Sequence, residues 1–295
     1  MKTTQFSGVF TALVTPFEDG RVGFADFQKL IKYQIERGIN GIVPVGTTGE
    51  SPTLTHTEQE EVIECAVSTA DGRVPVIAGT GSNSTSEAVS LTRKAHDAGV
   101  DGVLQVAPYY NKPSQQGLFE HFSAVANATD RPIVLYSIPG RCGIEIGVET
   151  VERLLSKHPH INVIKEAGGD CDRVADLKLA MGDDLVIFSG DDSLTLPFMS
   201  NGASGVISVA SNLVVEDLVK MVAAALRNDF DAAREIHLRY FKLFRALFLE
   251  PNPVPIKGAL QRAGVIRTAD VRSPLSRLSE QTTAVLFAEM DNLGL

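Results

Sequence analysis

The feature that most constrains this chain is a turn it uses three times. Gly38-Ile39-Asn40-Gly41-Ile42-Val43, Gly99-Val100-Asp101-Gly102-Val103-Leu104 and Gly202-Ala203-Ser204-Gly205-Val206-Ile207 share a Gly-x-x-Gly frame followed by two apolar residues. The first glycine of each suits the C′ position of a helix, where the backbone turns left-handed. The apolar pair after the second glycine enters a strand of the type buried on both faces. A chain that repeats helix, glycine turn and buried strand is building a parallel sheet with crossover helices.

The rest of the sequence follows the same alternation. Strands are expected at residues 10–15, 42–45, 74–78, 102–107, 132–136, 161–165, 185–189 and 205–208. Helices are expected at 24–37, 115–128, 148–157, 173–181, 193–200 and 216–227, and behind two capping signals. One signal is Thr55-His56-Thr57-Glu58, overlapped by Thr57-Glu58-Gln59-Glu60; the other is Ser84-Thr85-Ser86-Glu87. Eight strand–helix pairs in about 225 residues predict a (β/α)8 TIM barrel. The alternation stops after Arg227. A long helix at 231–249, a break at Pro251-Asn252-Pro253-Val254-Pro255 and helices at 256–263 and 278–293 form a C-terminal helical appendage. The expected division is a catalytic barrel over 1–227 and a helical region over 228–295.

Composition removes several functions. The formal net charge is −9 and no Lys/Arg run exceeds Arg93-Lys94, which argues against nucleic acid and anionic membrane as partners. Cys65, Cys142 and Cys171 are odd in number and far apart, so neither a disulfide frame nor a zinc knuckle is signalled, and a cytoplasmic setting is expected. Residues 1–17 lack a small-x-small cleavage site and read as a first strand rather than a signal peptide. The longest uncharged run, 199–215, is broken by Asn, Gly and Ser and does not read as a membrane span. The six histidines show no ligand spacing and no His-Glu-x-x-His occurs, so no metal is expected. Gly79-Thr80-Gly81 lacks the third glycine of a dinucleotide fingerprint, and no other cofactor is signalled.

Catalytic groups of such barrels sit where strands end. Read at those places, the chain offers Gly46-Thr47-Thr48-Gly49-Glu50, Pro108-Tyr109-Tyr110-Asn111, Tyr136, Pro139-Gly140-Arg141, Lys165-Glu166, Gly190-Asp191-Asp192 and Ser208. Lys165 ends the apolar run Ile161-Asn162-Val163-Ile164. Buried there, its ammonium is disfavoured, and a neutral amine forms Schiff bases with ketones. Position alone leaves a solvent-facing lysine equally open. Tyr110, Tyr136 and Thr47 could pass protons as a hydroxyl relay, although each alone is more often a core or rim residue. Arg141 could pair with a carboxylate, and the backbone and hydroxyls of Gly46-Thr47-Thr48-Gly49 could hold another.

In combination and order these strings, with Gly205-Val206-Ile207-Ser208 and Glu250-Pro251-Asn252-Pro253, resemble the dihydrodipicolinate synthase family. That family belongs to the pyruvate-dependent class I aldolases that include N-acetylneuraminate lyase. The resemblance runs along essentially the whole chain. It implies a lyase that condenses pyruvate with L-aspartate 4-semialdehyde to 4-hydroxy-tetrahydrodipicolinate, on the route to diaminopimelate and lysine. It also implies a homotetramer built as a dimer of dimers. Lys165 would carry the pyruvate imine, and Tyr136, Thr47 and Tyr110 would form the relay, Tyr110 reaching across a dimer interface. Thr48 would bind the pyruvate carboxylate, Arg141 the carboxylate of the aldehyde, and Gly190 and the Ile207 carbonyl would line the pocket.

The resemblance separates the synthases from their sister lyases at two positions. Sialate lyases usually carry Ser where this chain has Thr47, and lack the arginine matching Arg141. Two departures flank that arginine: Ser137 where the synthases commonly have Asn, and Cys142 where they have Thr. They leave open another pyruvate aldolase, a keto-acid dehydratase or a deaminase of the superfamily. A non-catalytic barrel that binds keto acids is the alternative of another class; the complete residue set speaks against it. A possible effector site for L-lysine is matched by Ser51, His56, Asn83, Glu87 and Tyr109. Gln59 in place of a histidine and Pro52 in place of an alanine imply weak or absent inhibition.

Overall fold

A computed structural model describes residues 6–295; the first five residues of the segment expected to open the chain as a strand lie outside the described residues. The chain begins with β1 (Gly8–Ala12), the short strands β2 (Phe17–Glu18) and β3 (Arg21–Val22), α1 (Phe24–Glu36) and β4 (Gly41–Val43). It continues through α2 (His56–Ala70), β5 (Ile77–Gly79), α3 (Thr85–Asp97), β6 (Gly102–Val106), α4 (Gln115–Ala126) and β7 (Ile133–Ser137). Next come α5 (Pro139–Cys142), α6 (Val148–Lys157), β8 (Val163–Glu166), α7 (Cys171–Met181), β9 (Val186–Ser189), α8 (Thr195–Ser200) and β10 (Gly205–Ser208). Helices α9 (Val215–Leu226), α10 (Phe230–Ala246), α11 (Val254–Arg262) and α12 (Glu280–Leu293) complete it.

Eight strands pair in the order β4-β1-β10-β9-β8-β7-β6-β5. Every pairing in that sheet is parallel. A parallel bridge between Ile42 and Val76, with the Ile42 N–H donating to the Pro75 carbonyl and the Gly79 N–H to that of Pro44, joins the two ends. The sheet is therefore a closed (β/α)8 barrel, followed by C-terminal helices, as expected.

The three glycine turns are the same structure three times. Gly38, Gly99 and Gly202 have φ of +81°, +86° and +97°. In each, the glycine N–H donates three residues back and the next N–H reaches five back, as in Ile39 to Gln34, Val100 to Ala95 and Ala203 to Phe198. This is the Schellman arrangement, which satisfies the last helix carbonyls and turns the chain into the next strand. A non-glycine side chain at any of the three would be forced into the left-handed region.

Closure sorts side chains by parity, because successive residues of a strand face opposite sides. Val134 and Tyr136 of β7, Val163 of β8, Phe188 of β9, Ile207 of β10 and Phe10 of β1 fill the interior. Ile133, Leu135, Ile164, Ile187 and Val206 face the helices. Phe10 packs edge-on against Phe188 at 5.3 Å between ring centres, closing the lower part of the barrel.

Two local readings differ from expectation. Residues 17–22 form a hairpin whose Asp19 and Gly20 have φ of +51° and +77°; the Asp-Gly pair that favours such a turn was present in the sequence. Thr55 and Glu58 do form a reciprocal capping box, but Ser84 makes no side-chain cap bond. Its intended partner Glu87 is taken by His56 and by the Ser82 hydroxyl, and Ser84 Oγ turns to Ser86 instead.

The C-terminal helices reach back to the barrel mouth. Lys257 of α11 is fully buried, paired with the fully buried Glu50 and donating to the Asp270 carbonyl at 2.8 Å. The other Glu50 oxygen accepts the Arg272 N–H at 3.0 Å, and the Arg272 guanidinium grips Glu58 at 2.6 and 2.8 Å. Glu50 itself sits at φ +56° at the end of the Gly46–Gly49 turn. A buried ion pair broken on one side leaves an uncompensated charge. Lys257→Met should therefore cost about 3–5 kcal/mol in urea unfolding, with much of the loss recovered when Glu50→Gln is added. A Lys257→Met protein as stable as the parent would show that the pair is not needed by the fold.

Candidate active site

Lys165 follows Val163 by two residues, so parity sends it inward. Its register partners across the sheet are Tyr136 on β7 and Phe188 on β9. It is 6% exposed, with Nζ 4.3 Å from the centre of the Tyr136 ring. Among the described residues Nζ makes no hydrogen bond and no ion pair. Burial lowers its pKa to about 8, opposed by the charge of Asp192 and assisted by that of Arg141. The next residue, Glu166, points the other way. It is fully buried among the outer helices and accepts from Arg173 Nε at 2.7 Å.

Tyr136 is 4% exposed, and burial raises its phenol to about 12, offset by Arg141 and by a hydrogen bond with Thr47. The ring is thus held as a protonated donor beside the lysine. Asp192 lies just beyond β9. It accepts from the Ser208 hydroxyl and from the N–H groups of Val209 and Ala210, at 3.1 and 3.0 Å, and burial raises its pKa to about 6.

Lys165 and Tyr136 line a cavity of about 40 Å³ together with Thr47, Thr48, Arg141 and Gly190, with Ala12, Val43, Leu104 and Val209 as its apolar wall. A Cβ on Gly190 would lie 2.6 Å from that of Ala167 and 3.1 Å from Lys165 Cε, so the absence of a side chain there keeps the lysine free. Thr47, Ile138 and Arg141 also border a second, outer cavity of about 340 Å³. Arg141, exposed on α5, stands between the two. A small inner chamber with one amine and a larger outer one with a shared guanidinium suits two successive ligands. A cavity of about 610 Å³ lies among Asn162, Asp183, Asp184 and Val186 at the opposite end of the barrel and holds none of the expected site residues.

Other expected residues fall differently. Tyr110 is 90% exposed at φ +73° and does not enter the cavity of its own chain. Ile207 is buried with its side chain in the barrel interior. Ser51, His56, Glu87 and Tyr109 line the outer cavity with Pro52 and Gln59; Asn83 does not, and instead donates to the Tyr109 carbonyl at 3.1 Å. Of the two departures beside Arg141, Ser137 has outward parity and accepts from the Ile146 N–H, whereas Cys142 borders the outer cavity. Burial raises the Cys142 thiol to about 11, which keeps it protonated. All three cysteines are free.

Residue reading missed Asn252. It comes from the turn between α10 and α11, lines the inner cavity with Phe248, and donates to Thr48 Oγ1 at 2.9 Å. Its only sequence signal was a place in the Glu250-Pro251-Asn252-Pro253 string. Among the described residues no helix is long and apolar enough to cross a membrane, and no cluster of three metal-ligating side chains occurs.

The model of the dihydrodipicolinate synthetase family matches residues 5–292. The 4-hydroxy-tetrahydrodipicolinate synthase of Persephonella marina is 48% identical over 98% of this chain and 99% of its own. The dihydrodipicolinate synthase structure from Aquifex aeolicus superimposes with a TM-score of 0.97 at 45% identity, covering 98% of this chain and 99% of that one. The 4-hydroxy-tetrahydrodipicolinate synthase of Methylacidiphilum fumariolicum gives 0.96 at 47% identity, over 98% and 96%. With the barrel, its inward lysine and this full-length likeness in hand, the chain belongs to the dihydrodipicolinate synthetase family.

Proposed function

We propose that this chain is a lyase that condenses pyruvate with L-aspartate 4-semialdehyde to 4-hydroxy-tetrahydrodipicolinate, with Lys165 as the nucleophile. The observation that carries the reading is a buried lysine nitrogen in a closed barrel, unpartnered among the described residues, beside a phenol that keeps its proton. The neutral amine adds to the keto carbon, and the carbinolamine loses its hydroxyl as water once Tyr136 has supplied a proton. That proton leaves with the water, and the phenolate left behind, hydrogen-bonded by Thr47, becomes the base for the next step. It takes a methyl proton from the iminium, leaving an enamine that attacks the aldehyde carbon. The new alkoxide takes the proton back from the phenol, and the amine of the aldehyde substrate then displaces Lys165 from the imine carbon as the ring closes. Thr48 takes the pyruvate carboxylate, and Arg141, at the boundary of the two cavities, takes the carboxylate of the incoming aldehyde.

Tyr110 belongs to this reading only through a second copy of the chain. A tyrosine held exposed in the left-handed region carries a cost of order 1–3 kcal/mol. It persists here in a turn tied by the Asn111 N–H to the Tyr109 carbonyl and by Asn83 to the same carbonyl. That fixed presentation supports its delivery into a partner's relay within a dimer of dimers. The outer cavity, with Gln59 donating to the Ser51 carbonyl at 2.9 Å rather than offering an imidazole, supports weak or absent inhibition by L-lysine. Three unpaired thiols suit a cytoplasmic enzyme.

Borohydride reduction in the presence of pyruvate tests the nucleophile. The expected product is one reduced adduct, mapped to the Lys165 peptide and absent from Lys165→Ala; an adduct elsewhere, or none, overturns the reading. Tyr136→Phe should slow turnover by about 10²–10⁴. The rate of imine formation should rise roughly tenfold per pH unit while the ammonium predominates, and level off above a pKa of about 8. The sign follows from the depressed pKa: only the deprotonated amine attacks, and its share grows with pH until titration is complete. A rate already flat well below that pKa would mean that the nucleophile is not this lysine.

A further inference from the structure

We propose that Asn252 is a positioning residue that makes the Thr48 hydroxyl a one-way donor into the catalytic cavity. This rests on the reading of Thr48 as the group that binds the keto-acid carboxylate. Thr48 and Asn252 are 3% and 6% exposed, and both line the inner cavity. Asn252 Nδ2 donates to Thr48 Oγ1 at 2.9 Å, the single protein hydrogen bond of that oxygen among the described residues. A threonine hydroxyl has one proton and room to accept two bonds. The amide occupies an acceptor site, and the proton has no acceptor among the described residues. It is available to an anionic oxygen in the cavity, where a charge-assisted bond is about twice as strong as a neutral one.

Two further observations separate this role from a merely structural one. The loop that carries Thr48 already has its anchors, since Glu50 is held by Lys257 and by the Arg272 N–H. The Asn252 bond is therefore not required to hold the turn in place. In addition, Asn252 Oδ1 is buried with no hydrogen-bond partner among the described residues. An amide kept for packing has both ends satisfied in most native interiors. This one spends its donor on Thr48 and leaves its acceptor unpaired among the described residues.

The test measures half-saturation of the borohydride-trapped adduct by pyruvate, together with turnover at saturating pyruvate and melting temperature. The variants are Asn252→Ser, Asn252→Asp, Thr48→Val and the two double substitutions. Asn252→Ser should raise the half-saturating pyruvate concentration about tenfold, the scale of one lost hydrogen bond, with a smaller change in turnover at saturation. Asn252→Asp should raise it further, because a carboxylate draws the Thr48 proton to itself and sets a negative charge beside the keto acid. In the Thr48→Val background either change at Asn252 should add little, since a residue that acts through Thr48 has nothing left to orient.

Half-saturation unchanged in a folded Asn252 variant overturns the proposal. So does an effect of equal size with and without the Thr48 hydroxyl. If Asn252→Ser does not fold, the Asn252→Asp arm decides on the same criteria. Failure of the parent protein to form any adduct would instead sink the underlying assignment of Lys165, and the two failures are distinct in the data.

Discussion

Among the described residues two lysines are buried, and the difference between them organises the molecule. Lys257 is enclosed together with Glu50, so its charge is compensated where it lies. Lys165 is enclosed with a tyrosine ring and no carboxylate in contact. Both are pushed down to about 8 by loss of water; the charge of Asp192 opposes that loss at Lys165, and Glu50, in direct contact, opposes it together with Asp270 at Lys257. The consequence is that one lysine is a strut and the other a reagent. Lys165 depends on the barrel being closed, because an open sheet edge there would readmit water and restore the ordinary ammonium.

Closure also decides how two adjacent charges can coexist. Lys165 and Glu166 are consecutive and both buried, yet they never meet. Strand parity puts the amine in the barrel and the carboxylate among the helices, where Arg173 bridges it to Glu145. Had the register slipped by one residue, the carboxylate would occupy the cavity and the lysine would be paired outside. The interior partners Val163, Tyr136 and Phe188 and the exterior ones Ile164, Leu135 and Ile187 fix that register through burial on both faces.

Much of this was legible in the residues. The glycine turns specified helix ends and strand starts because only glycine takes the left-handed position cheaply, so their reading needed no knowledge of the tertiary structure. The apolar strand ending in Lys165 predicted a barrel-mouth lysine, although not its direction, since direction depends on parity within a closed sheet. What stayed hidden was set by competition between distant groups. Ser84 and Glu87 have the pattern of a cap, and the pattern fails because His56 and Ser82, from other segments, take the carboxylate. The Asp19-Gly20 hairpin carried a local signal that the β/α alternation overshadowed. Tyr110 could not be placed by its own chain, because among the described residues it stands 90% exposed.

Asn252 shows why the region after the barrel is more than a tail. The eight strands supply the amine, the phenol and the hydroxyl turn, but the inner cavity is roofed in part by Phe248 and Asn252 from beyond α10. The same segment, a few residues on, sends Lys257 to Glu50, and Arg272 then joins Glu50 to Glu58 at the start of α2. The Thr47–Thr48 turn is thus held from below by strand β4 and from above by C-terminal side chains. A catalytic turn needs both: the strand sets where it emerges, and the outer contacts set which way its hydroxyls face. A barrel cut off after its eighth helix would keep the strands that aim Lys165 and lose the groups that aim Thr48.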